Sequence, residues 1–174
     1  MPDLNQLPDA EQQIATLAEQ LRPVFEHAPN TVLIGVFTGG VWIAERLSQL
    51  LPSHPPVGSV DISFYRDDFS ERGLSPNVQP TMVPVDIAGK PVILVDDVLY
   101  TGRTTRAALN ELFDYGRPGS VQLAVLADRG GRQLPIAADY CAWQVELPED
   151  ANLVLARTPL DDPKGQLSWS LDNA

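Results

Sequence analysis

Two carboxylates side by side, Asp96 and Asp97, are followed four residues later by Thr101-Gly102-Arg103-Thr104. Adjacent carboxylates repel one another unless a hydroxyl pair, a basic side chain or a divalent cation lies between or beside them. The Thr-Gly-Arg-Thr run supplies two hydroxyls, a glycine that tolerates positive φ, and main-chain N–H groups converging where a helix begins. Such a turn suits a phosphate monoester. A diol held by carboxylates next to a phosphate cradle implies a ribose 5-phosphate ligand.

An element must deliver these groups together. Val92-Ile93-Leu94-Val95 is too short for a helix and wholly apolar, as expected of a parallel strand covered on both faces. Its carboxyl end is where open α/β sheets bind ligands. Because successive strand side chains point to opposite sides, one aspartate can meet a ligand while the other is held from behind.

In its order and spelling this stretch resembles the phosphoribosyl-diphosphate (PRPP) binding motif of type I phosphoribosyltransferases. Val98-Leu99-Tyr100-Thr101-Gly102-Arg103-Thr104, Gly116-Arg117-Pro118, residues 122–126, Asp128-Arg129-Gly130 and Leu134-Pro135-Ile136 are similar, more narrowly, to the PyrR family of pyrimidine-operon attenuators and uracil phosphoribosyltransferases. The likeness spans roughly residues 31 to 141. It implies an α/β type I phosphoribosyltransferase fold: a mostly parallel central sheet flanked by helices, with a small hood and a flexible loop. One domain is expected over 1–174, with a helical segment at 1–30, a core at 31–141 and a divergent hood and tail at 142–174.

The composition agrees with an ordinary globular chain. At 174 residues there is length for one well-buried domain. Twelve basic residues against 23 acidic give a net charge of −11, a surface that repels nucleic acid unless its cations are gathered in one patch. Cys141 stands alone and the histidines are only His27 and His54, so cysteine- or histidine-built metal clusters are not expected. No stretch approaches membrane length, and a cytoplasmic location is expected.

Along the chain, Ile14, Leu17, Ala18 and Leu21 predict an amphipathic helix over Ala10 to Phe25, beginning near Asp9. In the resembling family this helix is comparatively basic and belongs to an RNA-binding face; here it carries Glu11, Gln12, Gln13, Glu19 and Gln20 with a single Arg22. Thr31 to Phe37 reads as a buried strand. Thr38-Gly39-Gly40 then leads into a helix from Val41 to Leu51 with Val41, Ala44, Leu47 and Leu51 inward. By position, Thr38, Gly39 and Gly40 resemble the loop that meets the PRPP diphosphate, although the family's lysine and arginine are Phe37 and Gly39. A glycine pair there also serves tight strand–helix packing.

Val57 to Phe64 is a third expected strand, and the long polar stretch to Pro84 corresponds to a loop that closes over PRPP, with Tyr65, Arg66 and Arg72 as candidate diphosphate contacts. A helix over Arg103 to Tyr115 and a strand over Val121 to Ala127 follow. That strand brings Asp128 and Arg129 to the edge shared with Asp96 and Asp97; they read either as a structural ion pair or as base-proximal ligand groups. Asp139 to Val145 and Asn152 to Leu155 are expected strands of the hood, Asp161-Asp162 a solvated turn, and Trp143 and Trp169 packing residues. The family's histidine after Asp-Arg-Gly is Gly131, and its arginine after Pro-Ile is Ala137.

The resemblance implies transfer of a ribosyl phosphate from PRPP to uracil, giving UMP and diphosphate, with Mg2+ as cofactor. Asp96 and Asp97 would meet the metal indirectly, through ribose hydroxyls or water. It further implies a homodimer. Two alternatives stay open: a PRPP- or UMP-sensing regulator that binds leader RNA, opposed by the acidic charge, and a purine phosphoribosyltransferase acting on hypoxanthine or guanine.

Overall fold

The protein's computed structural model describes residues 7–63 and 79–173. In chain order the elements are α1 (Ala10–His27), β1 (Val32–Val36), α2 (Gly39–Leu50), β2 (Val57–Val60), β3 (Pro91–Leu99), α3 (Arg103–Asp114), β4 (Ser120–Asp128), β5 (Tyr140–Gln144), β6 (Ala151–Thr158) and β7 (Gln166–Asn173).

Five strands form one parallel sheet in the order β2-β1-β3-β4-β5. Chain order reverses between β1 and β3, and that switch point is where a doubly wound sheet opens a crevice beyond its carboxyl ends. The expected parallel architecture is thus present. Sheet alternation sorts the two cores: Ile93 and Val95 of β3 pack with Leu33 against α1 and α2, whereas Val92 and Leu94 pack with Ile34 against Ala107, Ala108 and Leu112 of α3. Each buried Val, Leu or Ile among them stabilises the fold by roughly 1.5–3 kcal/mol.

α1 starts where its sequence says it should. Asp9 caps it, its carboxylate accepting the main-chain N–H of Glu11 at 2.8 Å and of Gln12 at 3.2 Å. In α2 the buried stripe is Gly39, Gly40, Ile43, Ala44 and Leu47; Val41, expected inward, is only half-buried because the inward stripe runs through positions 40, 43, 44 and 47 and leaves 41 at its margin.

The carboxyl-terminal part departs furthest from the sequence reading. β5 is the parallel edge strand of the main sheet, not a hood strand. β6 runs on to Thr158 and pairs antiparallel with β7, a strand in what read as an acidic tail. This hairpin docks on α1 and α2: Leu153, Leu155, Leu167 and Trp169 join their core. Trp169 Nε1 donates to the buried Gln13 Oε1 at 2.6 Å, and the Leu167 N–H donates to Glu11. Arg46 on α2 donates to the carbonyls of Pro163 and Gly165 at the hairpin turn. Trp143 and Trp169 lie 6.2 Å apart between ring centres, as packing residues.

At the β2 edge, the buried Asp61 carboxylate accepts N–H groups of Ser63 and Gln79, so it joins the two chain ends flanking 64–78. Among the described residues, no helix is long and apolar enough to cross a membrane.

Candidate active site

Four chain segments meet at the carboxyl edge of the parallel sheet. β3 is longer than its apolar run, so Asp96 and Asp97 lie within the strand and inherit its alternation. Asp96 falls on the α3 side and is buried at 6% exposure; Asp97 falls on the α2 side and is partly open. Each turns one oxygen back to the main chain: Asp96 Oδ1 accepts the N–H of Asp97 at 2.9 Å, and Asp97 Oδ1 accepts that of Val98 at 2.8 Å.

Asp97 Oδ2 faces the β1–α2 turn. A Cβ on Gly39 would stand 2.3 Å from that oxygen, and one on Gly40 would stand 2.2 Å from the Val95 carbonyl oxygen. Glycine is required at both positions by close approach, which brings the turn's main chain directly against the carboxylate pair. The Phe37–Thr38 peptide is cis. Thr38 is exposed, and its side chain makes no cap bond to α2.

The second turn is built the same way. Gly102, at φ +91°, is the N-cap of α3 and has no side chain to close it, and the first turns of α2 and α3 carry no acidic residue. The Arg103 N–H reaches back to Thr101 Oγ1 at 3.2 Å, while Thr101 and Thr104 are half-exposed. Main-chain N–H groups at a positive helix pole suit an anion. Two such poles flank one carboxylate pair.

Asp128 and Arg129 arrive at this edge from β4, as expected, but they do not pair with each other. Asp128 binds Arg132 through both oxygens, at 2.8 and 2.6 Å. Arg129 is buried, donates to the carbonyls of Ala151 and Pro148, and lies 4.1 Å from the ring centre of Tyr100. Residues that sequence reasoning passed over hold the Thr101–Thr104 turn from below. Arg132 Nη1 donates to the Tyr100 carbonyl at 2.6 Å, the N–H groups of Gln133 and Leu134 donate to the Thr101 carbonyl, and Arg103 Nε donates to Gln133 Oε1. The Gly-Gly-Arg-Gln run at 130–133 was the available signal. Tyr65, Arg66 and Arg72 fall outside the described residues.

The donor set suits a hard cation. Asp96 and Asp97 offer oxygen only, and among the described residues no group of three or more His, Cys, Asp or Glu side chains is placed to hold a metal. One or two carboxylates plus substrate phosphates and water is how Mg2+ is commonly held.

The phosphoribosyl transferase domain family matches residues 2–163. The bifunctional protein PyrR of Nitrosococcus oceani is 53% identical over 125 residues, 71% of this chain and 71% of that protein. The chain belongs to the PyrR family. A PyrR from Ralstonia nicotianae is 48% identical over 149 residues, covering 84% of this chain and 85% of its own. Among solved structures, a purine phosphoribosyltransferase from Pyrococcus horikoshii is similar at a TM-score of 0.60 and 31% identity, over 79% of this chain and 83% of that one. The fold shared with these proteins is that of the phosphoribosyltransferases.

Proposed function

We propose that this PyrR-family chain transfers the ribosyl 5-phosphate of PRPP to uracil, forming UMP and diphosphate. The observation carrying this reading is that Asp97 lies against Gly39 of the β1–α2 turn, at the switch point between β1 and β3, on the strand that leads directly into the Gly102 turn.

In this reading a ring nitrogen of uracil bonds to the anomeric carbon as the carbon–oxygen bond to diphosphate breaks. The electron pair leaves with the diphosphate, and the nitrogen's proton passes to solvent or to the departing group. Asp96 and Asp97 orient the ribose diol and offset positive charge growing on the ring. Thr101, Gly102, Arg103 and Thr104 hold the 5-phosphate, which fixes the anomeric carbon towards the base. The Thr38, Gly39 and Gly40 main chain receives the diphosphate, with Tyr65, Arg66 and Arg72 assigned to the same group. Asp128, held by Arg132, lies on the base side of the crevice. Mg2+, met by Asp96 and Asp97 through ribose hydroxyls or water, would supply charge neutralisation of the diphosphate. The chemistry needs no protein nucleophile. We place the reaction in the cytoplasm, in a homodimer, as the family resemblance implies.

Incubation with PRPP, Mg2+ and uracil should release diphosphate and yield UMP. Asp97→Asn should lower kcat by about 10²–10³-fold, the scale of losing one preorganised electrostatic group. Full activity in that variant refutes the assigned role.

A second function, leader-RNA binding, is suggested by the family's bifunctional members. We propose that it is weak here. The exposed face of α1 presents Gln12, Glu19, Gln20 and Glu26, and Arg22 is held by Glu19 at 2.7 Å. A gel shift with a pyrimidine leader at physiological salt tests this; tight binding overturns the argument from charge.

A further inference from the structure

Arg129 has an unusual set of partners for a buried cation. The residue is 6% exposed, and none of its contacts among the described residues is to a carboxylate, because neighbouring Asp128 is committed to Arg132. Burying an unneutralised guanidinium is costly. It is offset by carbonyl dipoles, with Nη1 to Ala151 O at 2.7 Å and Nη2 to Pro148 O at 2.9 Å, and by the electron-rich face of Tyr100. Nε has no partner. A fork whose two terminal nitrogens and whose face are already engaged is poorly placed to grip a ligand.

Its partners belong to two different parts of the fold. Tyr100 is the residue between the carboxylates and the phosphate turn. Its carbonyl is held by Arg132, its ring edge leaves no room for a side chain at Gly131, where a Cβ would stand 2.3 Å from Cε2, and the Arg129 N–H itself donates to Leu99 O at 3.0 Å. Pro148 and Ala151 belong to the turn that opens the β6–β7 hairpin. Arg129 joins them with a planar, two-pronged contact that lysine cannot reproduce.

We propose that Arg129 is a positioning residue for PRPP: it braces the phosphate turn, through Tyr100, against the base of the β6–β7 hairpin. The inference rests on the phosphoribosyl reading of the site, and it gives the hairpin a part in substrate affinity that its distance in sequence conceals. Removal of the brace loosens the Thr101–Thr104 cradle while leaving Asp96 and Asp97 on their strand. The effect therefore falls on PRPP binding and not on turnover at saturation.

The test is PRPP binding in the presence of Mg2+, measured by calorimetry without any base, on full-length wild type, Arg129→Met, Arg129→Lys and Tyr100→Leu, each checked for folding by circular dichroism. Both Arg129 variants are expected to bind PRPP about tenfold more weakly, the scale of one charged hydrogen bond, with kcat at saturating PRPP within about twofold of wild type. A purely structural role lowers Tm and leaves the PRPP dissociation constant unchanged below the transition, which overturns the proposal. Full rescue by lysine also overturns it, since charge would then suffice. If neither Arg129 variant folds, Tyr100→Leu, which keeps the carbonyl contacts, decides by the same reading: weakened binding supports the brace, unchanged binding refutes it. Failure of the wild type to bind PRPP refutes the functional reading, and the brace with it.

Discussion

Gly39 lies so close to Asp97 that a single methyl group on the glycine would stand 2.3 Å from the carboxylate's Oδ2, 2.8 Å from its Cγ and 3.0 Å from its Cβ. A turn and a strand more than fifty residues apart in the sequence are thereby fitted to one another at the sheet edge. Gly39→Ala must push the carboxylate aside. A displacement near 1 Å at a reacting centre can cost about 10²-fold, so kcat should fall on that scale with a small change in Tm.

Gly40→Ala separates geometry from stability. Its methyl would meet the Val95 carbonyl oxygen at 2.2 Å, a main-chain atom at the centre of the sheet that cannot turn away. Overpacking of this kind costs roughly 1–3 kcal/mol. Thermal unfolding should show the greater loss for Gly40→Ala and steady-state kinetics the more selective one for Gly39→Ala. Equal stability loss in both contradicts the assignment.

Gly102→Ala tests the phosphate turn. At φ +91° an L-residue is strained by about 1–2 kcal/mol, and the added methyl would press on Ile136, whose Cβ lies 3.1 Å away. A raised KM for PRPP is expected, with KM for the base little altered. The opposite pattern argues against a phosphate-binding role.

Gln13→Leu probes the docking of the hairpin. It strands the Trp169 indole N–H in a site where both residues are buried, costing about 1–3 kcal/mol. For a chain of this length each kcal/mol lowers Tm by about 2–4 °C. Trp169→Phe removes the donor, so the double variant should be less destabilised than the sum of the singles; strict additivity rules the contact out as an energetic link.

Cys141 should be slow to alkylate. Burial pushes its thiol above the ordinary range, which lowers the reactive thiolate fraction near neutral pH. Iodoacetamide labelling of the native protein should speed up as pH rises and speed up further on unfolding. Rapid native labelling at neutral pH contradicts this.

What the sequence disclosed depended on whether the signal was local. The strand carrying Asp96 and Asp97, the Gly39-Gly40 and Gly102 turns and the Asp9 cap each announce themselves within a few residues, and the structure puts them in place. β7 was passed over although Leu167, Trp169 and Leu171 alternate with polar neighbours, because surrounding acidic residues made the segment read as tail. Its pairing with β6 and its bond to Gln13 are long-range facts. Arg129 is the same case: residue type and strand position brought it to the crevice edge, but its contacts with Tyr100, Pro148 and Ala151 arise only once the β4–β5 connection and the hairpin are folded together. For Arg132 the Gly-Gly-Arg-Gln run signals a turn, but its pairing with Asp128 forms only once that turn is folded.

The central claim is that the crevice between β1 and β3 takes PRPP and prefers uracil. It is tested most directly by diphosphate release with PRPP and Mg2+, using uracil, hypoxanthine and guanine separately on one preparation. The account predicts a kcat/KM for uracil higher by about 10³-fold or more than for either purine, as a site that hydrogen-bonds one base can achieve. Turnover with hypoxanthine or guanine and none with uracil would contradict it.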